Sequence, residues 1–239
     1  MSLIEQTDRA LSQYANQLAG RSAVLDKFVY DVLDLSLLNG GVFLAVFWWL
    51  WFEARESGLY AQRRNVVVAL MAAPVVASAS RLLQVLLPVH RLPLHNLDLG
   101  LRPPFGIDPV SFNQFNSFPS DHTALFFALS IPLWMRSRWL GAAATVWTLL
   151  VICLPLLYLG YHWPSDIVAG AVVGVAFMLL LCRLIGTTGV PDRVIRFSDT
   201  HSPAFYAIAW LFTVEFALLF GEVRALFADA ARLARALPF

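Results

Sequence analysis

Residues 139–185 read WLGAAATVWTLLVICLPLLYLGY, then HWPSD, then IVAGAVVGVAFMLLLCRLI. The two apolar runs, 139–161 and 167–185, contain one charge, Arg183, while the short connector gathers His162, Ser165 and Asp166. Each run has the roughly 20 residues that a helix needs to cross a hydrocarbon core of about 30 Å. The pair therefore reads as a membrane hairpin with its polar connector at one bilayer face. Working outward, further spans are expected at about 33–52, 66–88, 122–135 and 204–220. The first ends in the aromatic cluster Phe47-Trp48-Trp49-Leu50-Trp51-Phe52, a pattern suited to the interface. The fold class that follows is all-α: a polytopic membrane bundle of about six transmembrane helices.

Composition agrees. Of 239 residues, 59% are hydrophobic and only 14% charged, against about 25% charged in soluble domains. A net charge of +1 offers no broad basic field for nucleic acid. Cys153 and Cys182 both lie inside apolar runs, without metal-ligand spacing or a disulfide framework. The chain 1–239 reads as one integral-membrane domain whose motif-bearing core is 66–185. At the start, Leu3, Ile4, Leu11, Tyr14, Leu18 and Leu25 alternate with charges, so 1–31 is expected to be an amphipathic helix lying on the membrane. It has no cationic start, apolar centre and small-residue cleavage site, so it does not read as a signal peptide. Residues 221–239 repeat the pattern, with Val223, Leu226, Phe227, Leu233 and Leu237 among Arg224, Arg232 and Arg235.

Two segments concentrate polar chemistry: Asn116-Ser117-Phe118-Pro119-Ser120-Asp121-His122-Thr123 and Tyr158-Leu159-Gly160-Tyr161-His162-Trp163-Pro164-Ser165-Asp166. If successive spans alternate in direction, both lie at one membrane face, each with a histidine at a helix start. Helix N-termini present unpaired N–H groups and a positive dipole end, which suit an anion. Asp166 follows His162 by four residues, so a carboxylate and an imidazole can share a helix face. Two histidines and an acid beside an anion site point to phosphoryl transfer by a histidine nucleophile, with the second histidine as general acid. Loops on the other side hold Arg55, Arg63, Arg64, Arg136, Arg138, Arg183, Arg193 and Arg196, against Arg91 and Arg102 on the motif side. Positive charge marks the cytoplasmic side, so the motifs are expected to face outward. Tyr161 and Trp163 read as interface anchors, and His90, His95 and Asp98 either line the entrance or, the favoured reading, are solvated loop residues.

Pro119-Ser120-Asp121-His122 together with His162-Trp163-Pro164-Ser165-Asp166-Ile167-Val168-Ala169-Gly170 resembles the type-2 phosphatidic acid phosphatase (lipid phosphate phosphatase) superfamily. The Asp in Ser-Phe-Pro-Ser-Asp-His is similar to the bacitracin-resistance-type branch, which removes a phosphate from undecaprenyl diphosphate at the outer face of the bacterial inner membrane. The resemblance implies that His162 is the nucleophile, Asp166 its orienting acid and His122 the general acid. It implies phosphate contacts at Ser120 and at Asp121, which occupies a glycine position. It implies no metal or other cofactor, and as partners only a lipid phosphate or polyprenyl diphosphate substrate and the surrounding lipids. The oligomeric state stays open. One motif arginine is missing, since Pro155-Leu156 stands at a Ser-Arg position, and the first motif aligns in two ways: with Leu92 before Pro93 and Arg91 displaced by one, or with His95 at the Lys position and Arg102-Pro103 at the Arg-Pro position. Arg81, Arg91 and Arg102 are the candidate replacements for the phosphate clamp, Arg81 alternatively pairing with Glu215. A chain without that clamp could also be a lipid-phosphate binder or carrier of the same fold, in a lipid-linked glycan pathway.

Overall fold

The computed structural model describes residues 2–108 and 116–218. Within them the chain forms helices and no strand: α1 Leu3–Ala15, α2 Ala23–Asp34, α3 Val42–Glu56, α4 Tyr60–Leu86, α5 Asp121–Arg136, α6 Arg138–Trp147, α7 Leu154–Tyr158, α8 Pro164–Gly186, α9 Val190–Thr200 and α10 Ser202–Ala217. A π-helical turn, Leu37–Gly41, leads into α3, and another, Thr148–Cys153, joins α6 to α7. The latter precedes Pro155, which has no N–H for the helical ladder, and the wider turn keeps the span continuous. Four stretches are long and apolar enough to cross a membrane: Leu37–Glu56, Tyr60–Leu86, Arg138–Tyr158 and Pro164–Gly186. The other two expected spans, α5 and α10, have 16 residues each, or about 24 Å of helix. The protein is an all-α membrane bundle.

Helix α5 is the central post. It packs against α4, α6 and α8, and its Leu125, Phe126 and Leu129 join Phe43, Phe47 and Ile152 in the buried core. At the arginine-rich end, α9 ties the α3–α4 hairpin to the bundle, a helix not expected from the sequence. Arg63 donates to Asp199 at 2.9 Å and to Ser198 at 2.7 Å, and stacks 4.4 Å above Trp51. Arg64 pairs with Asp192 at 3.1 Å.

The expected single N-terminal surface helix is instead two. The chain breaks at Gly20, whose φ is +66°, and restarts with Ser22 as the N-cap of α2. In α1 the buried side is polar, whereas α2 turns Leu25, Val29 and Leu33 inward together with Asp26. Asp8, Ser12 and Asn16, four residues apart, are buried, whereas Leu3, Ile4, Leu11 and Tyr14 are exposed. Asn16 bridges the backbones of Arg102 and Tyr158. Buried Asp26 accepts from the N–H of Gly20 (3.0 Å), the N–H of Phe105 (2.8 Å) and the hydroxyl of Tyr158 (2.5 Å). Asp26→Ala would orphan three donors at once. It is expected to cost on the order of 3 kcal/mol, read as a lower thermal unfolding midpoint in detergent, with Asp26→Asn recovering part of the loss. The expected C-terminal interfacial helix, 221–239, lies outside the described residues.

Candidate active site

The two polar segments meet at one end of the bundle, where α5 and α8 both begin. Gly170 and Gly174 make the meeting close. A Cβ on Gly170 would lie 2.4 Å from the carbonyl oxygen of Ser120, and one on Gly174 would lie 2.0 Å from that of Ala124. This small-residue seam, one helical turn long, lets the backbones touch. The Ser120 N–H then donates to the Asp166 carbonyl at 3.1 Å. Ser120 also caps α5, its hydroxyl accepting from Thr123 Oγ1 at 2.9 Å.

His162 lies in the turn between α7 and α8 and is 2% exposed. Its Nδ1 is 2.8 Å from the Ser117 carbonyl oxygen. A carbonyl only accepts, so Nδ1 carries the proton and Nε2 is the lone-pair nitrogen of the neutral ring. Asp166 Oδ2 stands 3.7 Å from the same Nδ1, beyond a hydrogen bond but within ion-pair range. The nearer partners of this buried carboxylate are the Trp163 N–H, 2.8 Å from Oδ2, and His90 Nδ1, 3.1 Å from Oδ1. His90, expected to be a solvated loop residue, is thus part of the site. Its pairing spans 76 positions of sequence, which no local spacing reveals. The hydrogen bond that His90 donates to the Asp166 carboxylate raises the His90 pKa above its ordinary 6.5, and burial only partly opposes this.

His122, at the start of α5, donates Nδ1–H to its neighbour Asp121 at 3.0 Å. The same carboxylate oxygen also accepts from the His122 backbone N–H at 2.9 Å, so Asp121 serves both the imidazole and the first turn of its own helix, and it lies within Coulombic reach of His162 and Arg81. Arg81 is 3.9 Å from Asp121 Oδ2, so the carboxylate beside this arginine is Asp121. Arg81 also donates to Gln84, whose amide in turn donates to the Pro119 carbonyl at 2.7 Å. Arg91 and Arg102 are held by their backbones. The Arg91 carbonyl accepts from the Trp163 indole at 2.9 Å, and the Arg102 N–H donates to Asn16 at 2.8 Å. Both residues are exposed, whereas Leu92 and Leu156 are buried. Asp8, from α1, reaches the start of α8 and accepts from the Ser165 N–H at 2.9 Å and its hydroxyl at 2.7 Å. The sequence pattern of α1 gave no sign of that contact.

The arrangement can present an imidazole lone pair and a second imidazole beside a carboxylate to one anion at the start of α5, while the first amides of α8 are taken by Asp8 and by the Trp163 carbonyl. Similar proteins have matching names. The PAP2 superfamily matches residues 100–189. YbjG of Escherichia coli (strain K12), which bears an undecaprenyl-diphosphatase name, is 35% identical over 133 residues, 55% of this chain and 59% of its own length. The lipid A 1-diphosphate synthase of the same organism is 27% identical over 177 residues, 70% of this chain and 68% of its own. A lipid A 4'-phosphatase of Bacteroides thetaiotaomicron is 44% identical over 59 residues, 24% of this chain and 26% of its own. No solved structure matches. Both histidine segments lie inside the matched region, so residues 100–189 of this chain are similar to the PAP2 superfamily, and the chain spans about three fifths of the length of the first of these relatives.

Proposed function

We propose that the protein hydrolyses a membrane lipid phosphate through a phosphohistidine, with a polyprenyl diphosphate such as undecaprenyl diphosphate as the favoured substrate. The observation that carries this reading is the bond from His162 Nδ1–H to the Ser117 carbonyl, 2.8 Å long, which leaves the lone pair on Nε2 and so supports that atom as the nucleophile. Nε2 attacks the terminal phosphorus, the bond from phosphorus to the lipid-phosphate oxygen breaks, and its electron pair leaves on that oxygen. His122, protonated and steadied by Asp121, gives that oxygen its proton. Positive charge grows on the His162 ring during attack, and the Ser117 carbonyl and the Asp166 carboxylate, 3.7 Å away, stabilise it. Water then attacks the phosphohistidine while His122 takes its proton, and the N–P electron pair returns to Nε2. Ser120, Asp121 through its backbone, and Arg81, with Arg91 and Arg102 at the mouth, meet the phosphate oxygens. The arginine-rich opposite end favours a site facing the periplasm or cell exterior of a bacterial inner membrane.

The second reading, a lipid-phosphate binder or carrier, is favoured by Leu156 and, in the first of the two alignments, by Leu92, buried apolar residues where the resemblance implies arginines. Purified protein supplied with undecaprenyl diphosphate, phosphatidic acid and phosphatidylglycerol phosphate separates the two. Phosphate release, fastest from the polyprenyl diphosphate, supports the phosphatase. Saturable binding without release from any of the three supports the carrier.

A further inference from the structure

His90 stands outside the region matched to the family, and its chemistry is not used in the steps above. Its surroundings are unusually well specified for a loop residue. Nδ1 donates to Asp166 Oδ1 at 3.1 Å and is 3.2 Å from the Ser117 hydroxyl. The backbone is fixed too: its carbonyl accepts from the Ser117 N–H and hydroxyl, both at 2.9 Å, and its N–H donates to Asn116 at 2.9 Å. The ring leans on Trp163 at 5.9 Å and meets the edge of Phe118 at 6.2 Å. Ser117 is thereby a hub, holding His162 through its carbonyl and His90 through its N–H and hydroxyl. Yet 46% of the His90 side chain remains exposed. With Nδ1 turned to the buried carboxylate, Nε2 is the ring nitrogen left to meet a ligand.

Charge balance gives that nitrogen a purpose. Asp166 is fully buried, and a buried carboxylate requires a compensating cation. The charged or titratable groups around His90 are Asp166 and His162 from the α7–α8 turn and α8, Asp8 from α1, and Arg91 next in the chain. The two carboxylates favour the imidazolium and outweigh the ring's partial burial.

We propose that His90 is a third histidine of the phosphate site, a positioning residue that fixes Asp166 through Nδ1 and offers its outer N–H to the anionic headgroup. The proposal rests on the lipid-phosphate reading above and deepens it. It makes anion affinity fall as pH rises through the His90 pKa, because deprotonation removes both the charge and the outward donor.

The test uses the full chain in detergent, with His90→Gln, which keeps an amide donor for Asp166, and His90→Arg, which keeps a charge that does not titrate. With the lipid phosphate that the wild type turns over, KM is expected to rise about tenfold to a hundredfold in His90→Gln. In His90→Arg, KM should be less affected and lose its rise at alkaline pH. Equal KM and equal pH profiles in wild type and His90→Gln would overturn the proposal. A second measurement does not need turnover. In ¹⁵N-histidine spectra of His162→Ala, the His90 signal, assigned by its loss in the His90→Gln double variant, should titrate above 6.5 and shift when sulfate is added. Sulfate keeps its charge across the neutral range, so any pH dependence belongs to the protein. A His90 signal indifferent to sulfate sinks the proposal. If the wild type releases no phosphate while His90 still responds to sulfate, the phosphatase reading fails and the anion site stands.

Discussion

His162→Ala is expected to reduce phosphate release from a lipid phosphate by at least about 10³-fold, because the covalent route is lost with the nucleophile. The loss should fall on kcat, since Ser120 and His122, which hold the headgroup in the proposed mechanism, keep their own anchors. Ser120 caps α5 and donates its N–H to the Asp166 carbonyl, and neither contact passes through His162. Binding of the same lipid should therefore survive within a few fold. Rapid acid-free quenching of the wild type with substrate labelled at the terminal phosphate should trap an alkali-stable, acid-labile phosphoprotein, and the variant should trap none. Turnover in His162→Ala close to that of the wild type would remove the phosphohistidine from consideration. The resemblance pairs Asp166 with His162 alone, but here the carboxylate also serves His90, so Asp166→Asn should disturb two rings.

Gly174→Val should have the next largest effect, and it acts through shape alone. The first side-chain carbon would fall 2.0 Å from the Ala124 carbonyl oxygen, 2.7 Å from the carbonyl carbon and 2.8 Å from Cα. All three are backbone atoms of α5, so no rotamer relieves the clash and the helices must separate. Overpacking of this kind costs about 1–3 kcal/mol or more, and a displacement of about 1 Å at reacting groups can lower turnover about 10²-fold. Both losses should appear together, as a lower unfolding midpoint in detergent and as slower phosphate release. Gly186, at the far end of the same helix, is the internal comparison. A Cβ there meets nothing within 4 Å, and Gly186→Ala should change neither quantity appreciably. Equal behaviour of the Gly174 and Gly186 variants would mean that the seam does not set the site.

The spans and the two histidine segments were legible because their signals are local. An unbroken apolar run such as 139–161 states its length directly, and Ser-Asp-His or His-Trp-Pro-Ser-Asp carries its donors within one helical turn. Contacts between distant segments were not legible. His90 reaches Asp166, Asn16 reaches Tyr158, and Asp8 reaches Ser165 only because the loops fold back over the bundle end. Helix α9 escaped because eleven amphipathic residues between two spans resemble a polar loop until Arg63 and Arg64 are seen to bind it. The N-terminal pattern revealed two-sidedness correctly but not its sense. The apolar face was assumed to seek the lipid with water on the other side, whereas the polar side is turned onto protein.

That reversal makes the first helix a roof with an apolar outer surface. Asp8 and Asn16 nail it down from beneath, and Leu3, Ile4, Leu11 and Tyr14 lie on its outer side. If that side lies against the bilayer, stripping the lipid away would leave a greasy cover facing water while its polar pegs still hold it in place.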